Sequence, residues 1–181
     1  YAVVERLEPL DSSNARVLGF DVWSEAKRRT ALEQARDTGQ PAITQRVVLV
    51  AQLGDNNPQP AVIISMPLYR RGMPTTTTDE RRSALVGWVY SPLLMDTLVG
   101  DVKQGISGDI EFQLFDSVNE SPESLLFATG ASMGGAALPA DARTLSARLM
   151  PAGARWTLRA TARPSFEAAM GGHQPVTLIV A

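Results

Sequence analysis

Arg28 is the residue of this sequence whose position most strongly suggests chemistry. It lies in a predicted helix over 24–39, where a period of about 3.6 residues per turn places it on one face with the apolar residues Ala31, Leu32 and Ala35. A guanidinium is costly to bury without a partner, and the helix dipole disfavours a cation this early in a helix. We therefore expect Arg28 to meet an anion at the rim of a pocket. The alternatives are that it extends to solvent or pairs with a structural carboxylate.

Residues suited to catalysis or metal binding are scarce. The chain has no cysteine, which excludes disulfides, thiolate metal sites and cysteine nucleophiles. Its one histidine is His173, so a serine-type triad has no base. The run Gly105-Ile106-Ser107-Gly108 lacks the spacing of a nucleophile elbow, and no glycine-rich phosphate loop or calcium loop is present. The sequence thus predicts no catalytic site, no metal site and no cofactor.

Composition narrows the class of protein further. With 181 residues and 44% hydrophobic residues, the chain can bury roughly 70% of its unfolded surface. The net charge is −2, and no basic stripe indicates nucleic-acid binding. No apolar run approaches the ~20 residues that span a bilayer. Because the chain starts at Tyr1 rather than at methionine, we expect an excised segment of a longer protein.

The first half of the chain predicts a helix, a hairpin and a second, shorter helix. Ser24 suits an N-cap and Gly39 suits the left-handed position after a helix, so the first helix is expected between them. A loop-forming run over 54–60 separates two apolar runs, which predicts a long hairpin. Thr77 and Glu80 have the spacing of a capping box. The strands predicted in this half cover 1–7, 43–53, 61–69 and 85–93.

The second half repeats the order of a helix followed by strands. A helix is predicted over 94–106, and a loop rich in glycine, alanine and proline over 130–140. The predicted strands cover 110–115, 125–128, 144–150 and 156–161. Two such runs indicate an α+β fold with antiparallel sheets in two small halves. The apolar run 175–181 predicts either a final strand or the start of a transmembrane helix.

Several short motifs, taken in order, resemble the core of CHASE domains. The first part carries Leu18-Gly19-Phe20-Asp21, Ser24-Glu25, Arg29, Ala35-Arg36-Asp37-Thr38-Gly39, Thr44 and Leu49-Val50. Later motifs are Pro67-Leu68-Tyr69-Arg70 and Glu80-Arg81-Arg82-Ser83-Ala84-Leu85-Val86-Gly87, and Arg155-Trp156-Thr157-Leu158 resembles the closing segment of the family. Each motif is short, but their order and approximate spacing match across residues 1–93.

The resemblance implies an extracytoplasmic sensor between two transmembrane helices. The parent protein would be a histidine kinase of a two-component system, or a diguanylate cyclase or phosphodiesterase, at the periplasmic side of the bacterial inner membrane. The fold implied is two tandem PAS-like subdomains after an N-terminal stalk helix that this chain lacks. Residues 1–93 would form the membrane-distal, ligand-binding subdomain, 94–170 the membrane-proximal one, and 171–181 the start of a linker to a transmembrane helix. The segment itself would not be an enzyme, and the full-length protein would be a homodimer.

The same resemblance, to the plant cytokinin receptors of the family, implies a set of ligand-binding residues. They are Arg28, Thr44, Val50, Ser65, Trp88 and Ser91. Arg28 falls where those receptors carry an aspartate that binds an adenine-type ring, so a ligand with a carboxylate or phosphate fits better. Strand parity places Thr44 and Val50 on one strand face. Trp88 and Ser91 have opposite parity, so both can face the pocket only if the strand has a bulge or ends between them. The alternative function is a dimerisation or protein-interaction module without a small ligand.

Overall fold

Within the residues that the computed structural model describes, 1–100, 108–129 and 142–169, the chain forms two antiparallel sheets with short helices. Helix α1, Ala26–Thr38, begins after Glu25, whose carboxylate accepts the backbone N–H groups of Lys27 and Arg28. The N-cap predicted at Ser24 is wrong, because Ser24 belongs to the preceding 3₁₀ turn Val22–Ser24. The helix ends at Gly39 with a φ of 72°, as predicted.

The first sheet has the strand order β1-β2-β3. Its strands are β1, Ala42–Ile43, β2, Ala61–Tyr69, and β3, Leu85–Leu94. Helix α2, Thr78–Ala84, connects β2 to β3 and carries the predicted capping box of Thr77 and Glu80. Helix α1 packs against one face of the first sheet at β2. The other face is buried against the second sheet at Val62 and is exposed further along β2 at Met66 and Leu68.

The long strand predicted over 43–53 is wrong. Strand β1 has two residues, Val47 makes only an isolated bridge to Ala61, and a 3₁₀ turn covers Val50–Gln52. The regular ladder stops at Thr44, because the side-chain hydroxyl of Thr44, and not a backbone carbonyl, accepts the backbone N–H of Ile63 at 2.9 Å. The parity argument that put Thr44 and Val50 on one strand face therefore no longer applies.

The second sheet has the order β5-β4-β7-β6. Its strands are β4, Ile110–Phe115, β5, Leu125–Ala128, β6, Thr144–Leu149, and β7, Trp156–Ala162. All four were predicted to within a residue at each end. Helix α3, Met95–Leu98, is the described part of the predicted 94–106 helix, and α4 covers Pro164–Ala169. The loop predicted over 130–140 and the segment 171–181 lie outside the described residues.

One hydrophobic cluster joins the two sheets. It contains buried side chains from β2, α3, β4, β5 and β7, namely Val62, Met95, Leu114, Leu126, Phe127 and Trp156. The predicted boundary between residues 93 and 94 thus runs through this shared cluster, and it stays a prediction. The N-terminal strand predicted over 1–7 is reduced to a single bridge between Val3 and Asp21. Among the described residues, no helix has the length and hydropathy to cross a membrane.

Candidate functional site

Arg28 is buried and held by contacts within the chain. Its side chain lies on the face of α1 that packs inward, and the residue is 6% exposed. One guanidinium nitrogen, Nη2, donates to the carbonyl oxygen of Val48 at 2.8 Å, and the guanidinium carbon lies 5.2 Å from the ring centroid of Phe20. The Glu25 carboxylate lies 3.3 Å from Nε. The alternative of a structural carboxylate is therefore confirmed, and the alternative that Arg28 extends to solvent is wrong.

One donor of Arg28 remains without an acceptor. The Nε–H group is buried and makes no hydrogen bond to the described residues, although Glu25 lies within ion-pair distance. The distance alone is compatible with a hydrogen bond, but the N–H is not aligned with the carboxylate oxygen. Nearby, burial raises the pKa of Tyr90, and the positive charge of Arg28 opposes that rise. The guanidinium is thus buried with one N–H group, at Nε, that has no hydrogen-bond acceptor.

Trp88 is fixed by the core of the first sheet. Its indole N–H donates to the carbonyl of Leu32 in α1 at 3.0 Å, and its ring lies 5.8 Å from that of Trp23. Both contacts tie β3 to the elements that cover it. Trp88 therefore has a structural role whether or not a ligand also touches it.

The structure brings some of the other predicted residues together and separates one. Thr44, Val50 and Ser65 are buried. Ser65 pairs with Ala42 of β1, two residues before Thr44. Ser91 is exposed and lies in the middle of β3, on the face opposite to Trp88. Neither a bulge nor a strand end separates the two, so Ser91 points away from α1.

A cleft of about 510 Å³ lies between α1 and the second sheet. One wall is the α1 face that carries Lys27 and Gln34, and the opposite wall is formed after β4 and at the start of β7 by Asp116, Arg155 and Trp156. Of the predicted ligand-binding residues, Thr44 lines this cleft. Sequence reasoning missed the others. The i, i+7 spacing of Lys27 and Gln34 marks a polar helix face, but no local signal connects it to the second sheet.

The junction of α1 with α2 is formed by three of the sequence motifs quoted above. The Asp37 carboxylate accepts hydrogen bonds from Arg82 at 2.7 and 3.0 Å and from Arg36 at 2.6 Å. These bonds, that from Arg82 first, hold the pKa of Asp37 well below its usual range. The Tyr69 hydroxyl donates to the carbonyl of Arg36 at 2.6 Å. These motif residues therefore stabilise the fold around α1.

A comparison with protein-family models matches the part of the chain that contains these motifs. The family model described as the CHASE domain matches residues 1–127 of the 181. The chain belongs to the CHASE domain family. CHASE domains are extracytoplasmic, sensory and non-catalytic. No curated protein matches the chain.

The CHASE match covers the first sheet and part of the second. It includes all of α1 and β4 and ends at Phe127 in β5. Arg28 and Asp116 lie inside the match, whereas Arg155 and Trp156 lie beyond it. In the described part of this CHASE domain, no three histidine or acidic side chains converge in a way that could hold a metal ion.

Proposed function

We propose that this CHASE domain binds a small anionic metabolite and is the sensor of a bacterial transmembrane signalling protein. The parent protein would be a histidine kinase, or a diguanylate cyclase or phosphodiesterase, with this domain on the periplasmic side of the inner membrane. The ligand would lie between α1 and the first sheet. The residues proposed to contact it are Arg28, Thr44, Val50, Ser65 and Trp88. Ser91, the sixth residue predicted from the sequence, faces away from α1 and would not reach this ligand.

The observation that carries this proposal is the spare donor of the buried Arg28. A buried guanidinium forms strong, charge-assisted hydrogen bonds with a well-aligned carboxylate or phosphate. Its present partner, the Glu25 side chain, is 39% exposed and poorly aligned. A ligand carboxylate that approached Nε directly would replace this contact with a better one. Glu25 would then remain free to cap α1, since both of its oxygens already accept backbone N–H groups there.

A route for the signal follows from contacts between the two sheets. In the proposed architecture, residues 1–93 and 94–170 are two PAS-like subdomains, a stalk helix precedes them, and 171–181 leads to a transmembrane helix of a homodimer. Arg46 lies two residues after Thr44, a proposed ligand contact. Its backbone N–H donates to the carboxylate of Asp116, and its Nη1 donates to the carbonyl oxygen of Pro122 at 2.9 Å. A ligand that shifts the segment after β1 would therefore displace Asp116 and Pro122, which follow β4 of the second sheet, through these hydrogen bonds.

A thermal-shift screen of small carboxylates, phosphates and adenine derivatives tests the proposal. A ligand at a hundredfold excess over its Kd stabilises the folded state by about 2.7 kcal/mol. We expect an anion to raise Tm and the Arg28→Lys variant to lose most of that rise, because an ammonium cannot reproduce the guanidinium fork. Arg29→Lys is the matched control. The proposal fails if no anion raises Tm, or if the two variants respond alike.

A dimerisation module is the second candidate, and exposed apolar residues favour it. On the outward face of the first sheet, Met66 and Val89 are direct cross-strand partners and are 52% and 59% exposed. Leu68, further along β2 on the same face, is also exposed. Adjacent exposed apolar side chains are typical of contact surfaces. Light scattering would then detect a ligand-independent dimer that Met66→Glu dissociates; a monomer at all concentrations would eliminate this candidate.

A further inference from the structure

The cleft between α1 and the second sheet contains a buried carboxylate without a cationic partner. Asp116 directly follows β4 and is 8% exposed. One of its oxygens, Oδ2, accepts the backbone N–H of Arg46. Across residues 1–100, 108–129 and 142–169, no basic side chain lies within ion-pair distance of Asp116. A buried carboxylate without a counter-charge is unfavourable, so a cation is expected to bind beside it.

One residue that lines the same cleft has a buried donor without an acceptor. Trp156, the first residue of β7, lines the cleft and is 6% exposed. Its indole N–H is buried and finds no hydrogen-bond acceptor in the described part of the chain. Buried polar groups are almost always hydrogen-bonded, so this N–H group indicates a missing acceptor. An anionic oxygen in the cleft would supply it once the indole ring turned its N–H toward the cleft.

Two cationic side chains also line the cleft. Arg155 is exposed and makes no hydrogen bond or ion pair with the described residues. Lys27 is exposed, and its ammonium donates to the carbonyl of Arg46 at 2.8 Å, which leaves further protons available. The cleft therefore offers a place for a cation at Asp116 and a place for an anion between Arg155 and Lys27, beside Trp156.

We propose that this cleft binds a small zwitterion of the α-amino acid class. The ligand ammonium would pair with Asp116, and the ligand carboxylate would accept from Arg155, Lys27 and the indole N–H of Trp156. The volume of about 510 Å³ is within the usual range for small-molecule sites. Thr44 borders both this cleft and the site proposed at Arg28, but the charged groups differ: Asp116, Arg155 and Lys27 here, and Arg28 there. The two proposals therefore stand or fall separately.

Calorimetry and thermal shift on the whole chain test the chemistry of the ligand. The standard L-amino acids are screened at about 10 mM, which is tenfold above a Kd of about 1 mM. The amino acid with the largest shift is then compared with the acid that lacks its α-amine and with the amine that lacks its carboxylate. We expect each analogue to bind at least about tenfold more weakly, because each leaves one charged group of the cleft unpaired.

Variants locate the binding site. Asp116→Asn keeps an oxygen for the N–H of Arg46 but removes the charge, and Arg155→Met changes an exposed side chain that makes no hydrogen bond or ion pair with the described residues. Both are expected to raise Kd at least about tenfold. Arg148→Met, an exposed position on β6 outside the cleft, should leave Kd unchanged. The proposal is overturned if no amino acid shifts Tm, if the acid without the amine binds as tightly, or if Arg155→Met and Arg148→Met bind equally.

Discussion

Replacing Arg28 with methionine tests whether its contacts within the chain hold α1 in place. The change keeps an unbranched apolar stem and removes the guanidinium. Losing the charge-assisted hydrogen bond to the partly exposed Val48 costs about 1.5 kcal/mol. Losing the stacking on Phe20 costs about 1 kcal/mol, and losing the half-exposed pair with Glu25 costs about 0.5 kcal/mol. Removing the buried Nε–H, which has no acceptor, recovers about 1 kcal/mol. Arg28→Met is therefore expected to lower the free energy of unfolding by about 2 kcal/mol.

Urea unfolding followed by the fluorescence of the three tryptophans measures this difference. With a denaturant slope of about 2 kcal/mol per M, the midpoint should fall by about 1 M. Arg71→Met, at an exposed loop position, is the control and should stay within about 0.5 kcal/mol of the wild type. Arg28→Lys keeps the positive charge but loses the planar set of guanidinium donors, so its free energy of unfolding should lie between those of Arg28→Met and the control. If Arg28→Met unfolds like the control, the contacts described for Arg28 do not stabilise the fold, and this reasoning is refuted.

Three further predictions concern the elements around α1. The pKa of Asp37 is lowered by its arginine partners, so its contribution to stability is present above its ordinary pKa of 3.8 and is lost as the pH falls below about 4. In acid titrations the wild type should therefore lose more stability than Asp37→Asn, and parallel curves would contradict this. Thr44→Val leaves the N–H of Ile63 without its acceptor and should cost about 1–3 kcal/mol in urea unfolding, whereas Thr44→Ser should cost much less. Gly39→Ala forces a residue with a Cβ to a φ of 72° and should lower stability by about 1–2 kcal/mol; an unchanged Tm would show that the turn relaxes.

Local patterns determined much of this fold. The left-handed residue after α1, the capping box of Thr77 and Glu80, strand β2 and the four strands of the second sheet follow from residue types and spacing over a few neighbours. The helix wheel placed Arg28 on the apolar face of α1 but left open whether its side chain reached solvent; the structure buries it. Each of these features depends on interactions within one element or one turn. The order and spacing of the short motifs were sufficient to indicate the CHASE family.

Tertiary contacts decided what surrounds those elements. Only the fold shows that Val48 and Phe20 meet the guanidinium of Arg28. The strand predicted after residue 43 stopped early because the hydroxyl of Thr44 replaced a ladder acceptor, a choice that β-propensity does not encode. The cleft joins residues from α1 with residues after β4 and before β7. The free energy of a buried charge depends on the groups that surround and desolvate it, and distant parts of the chain supply those groups when they pack together.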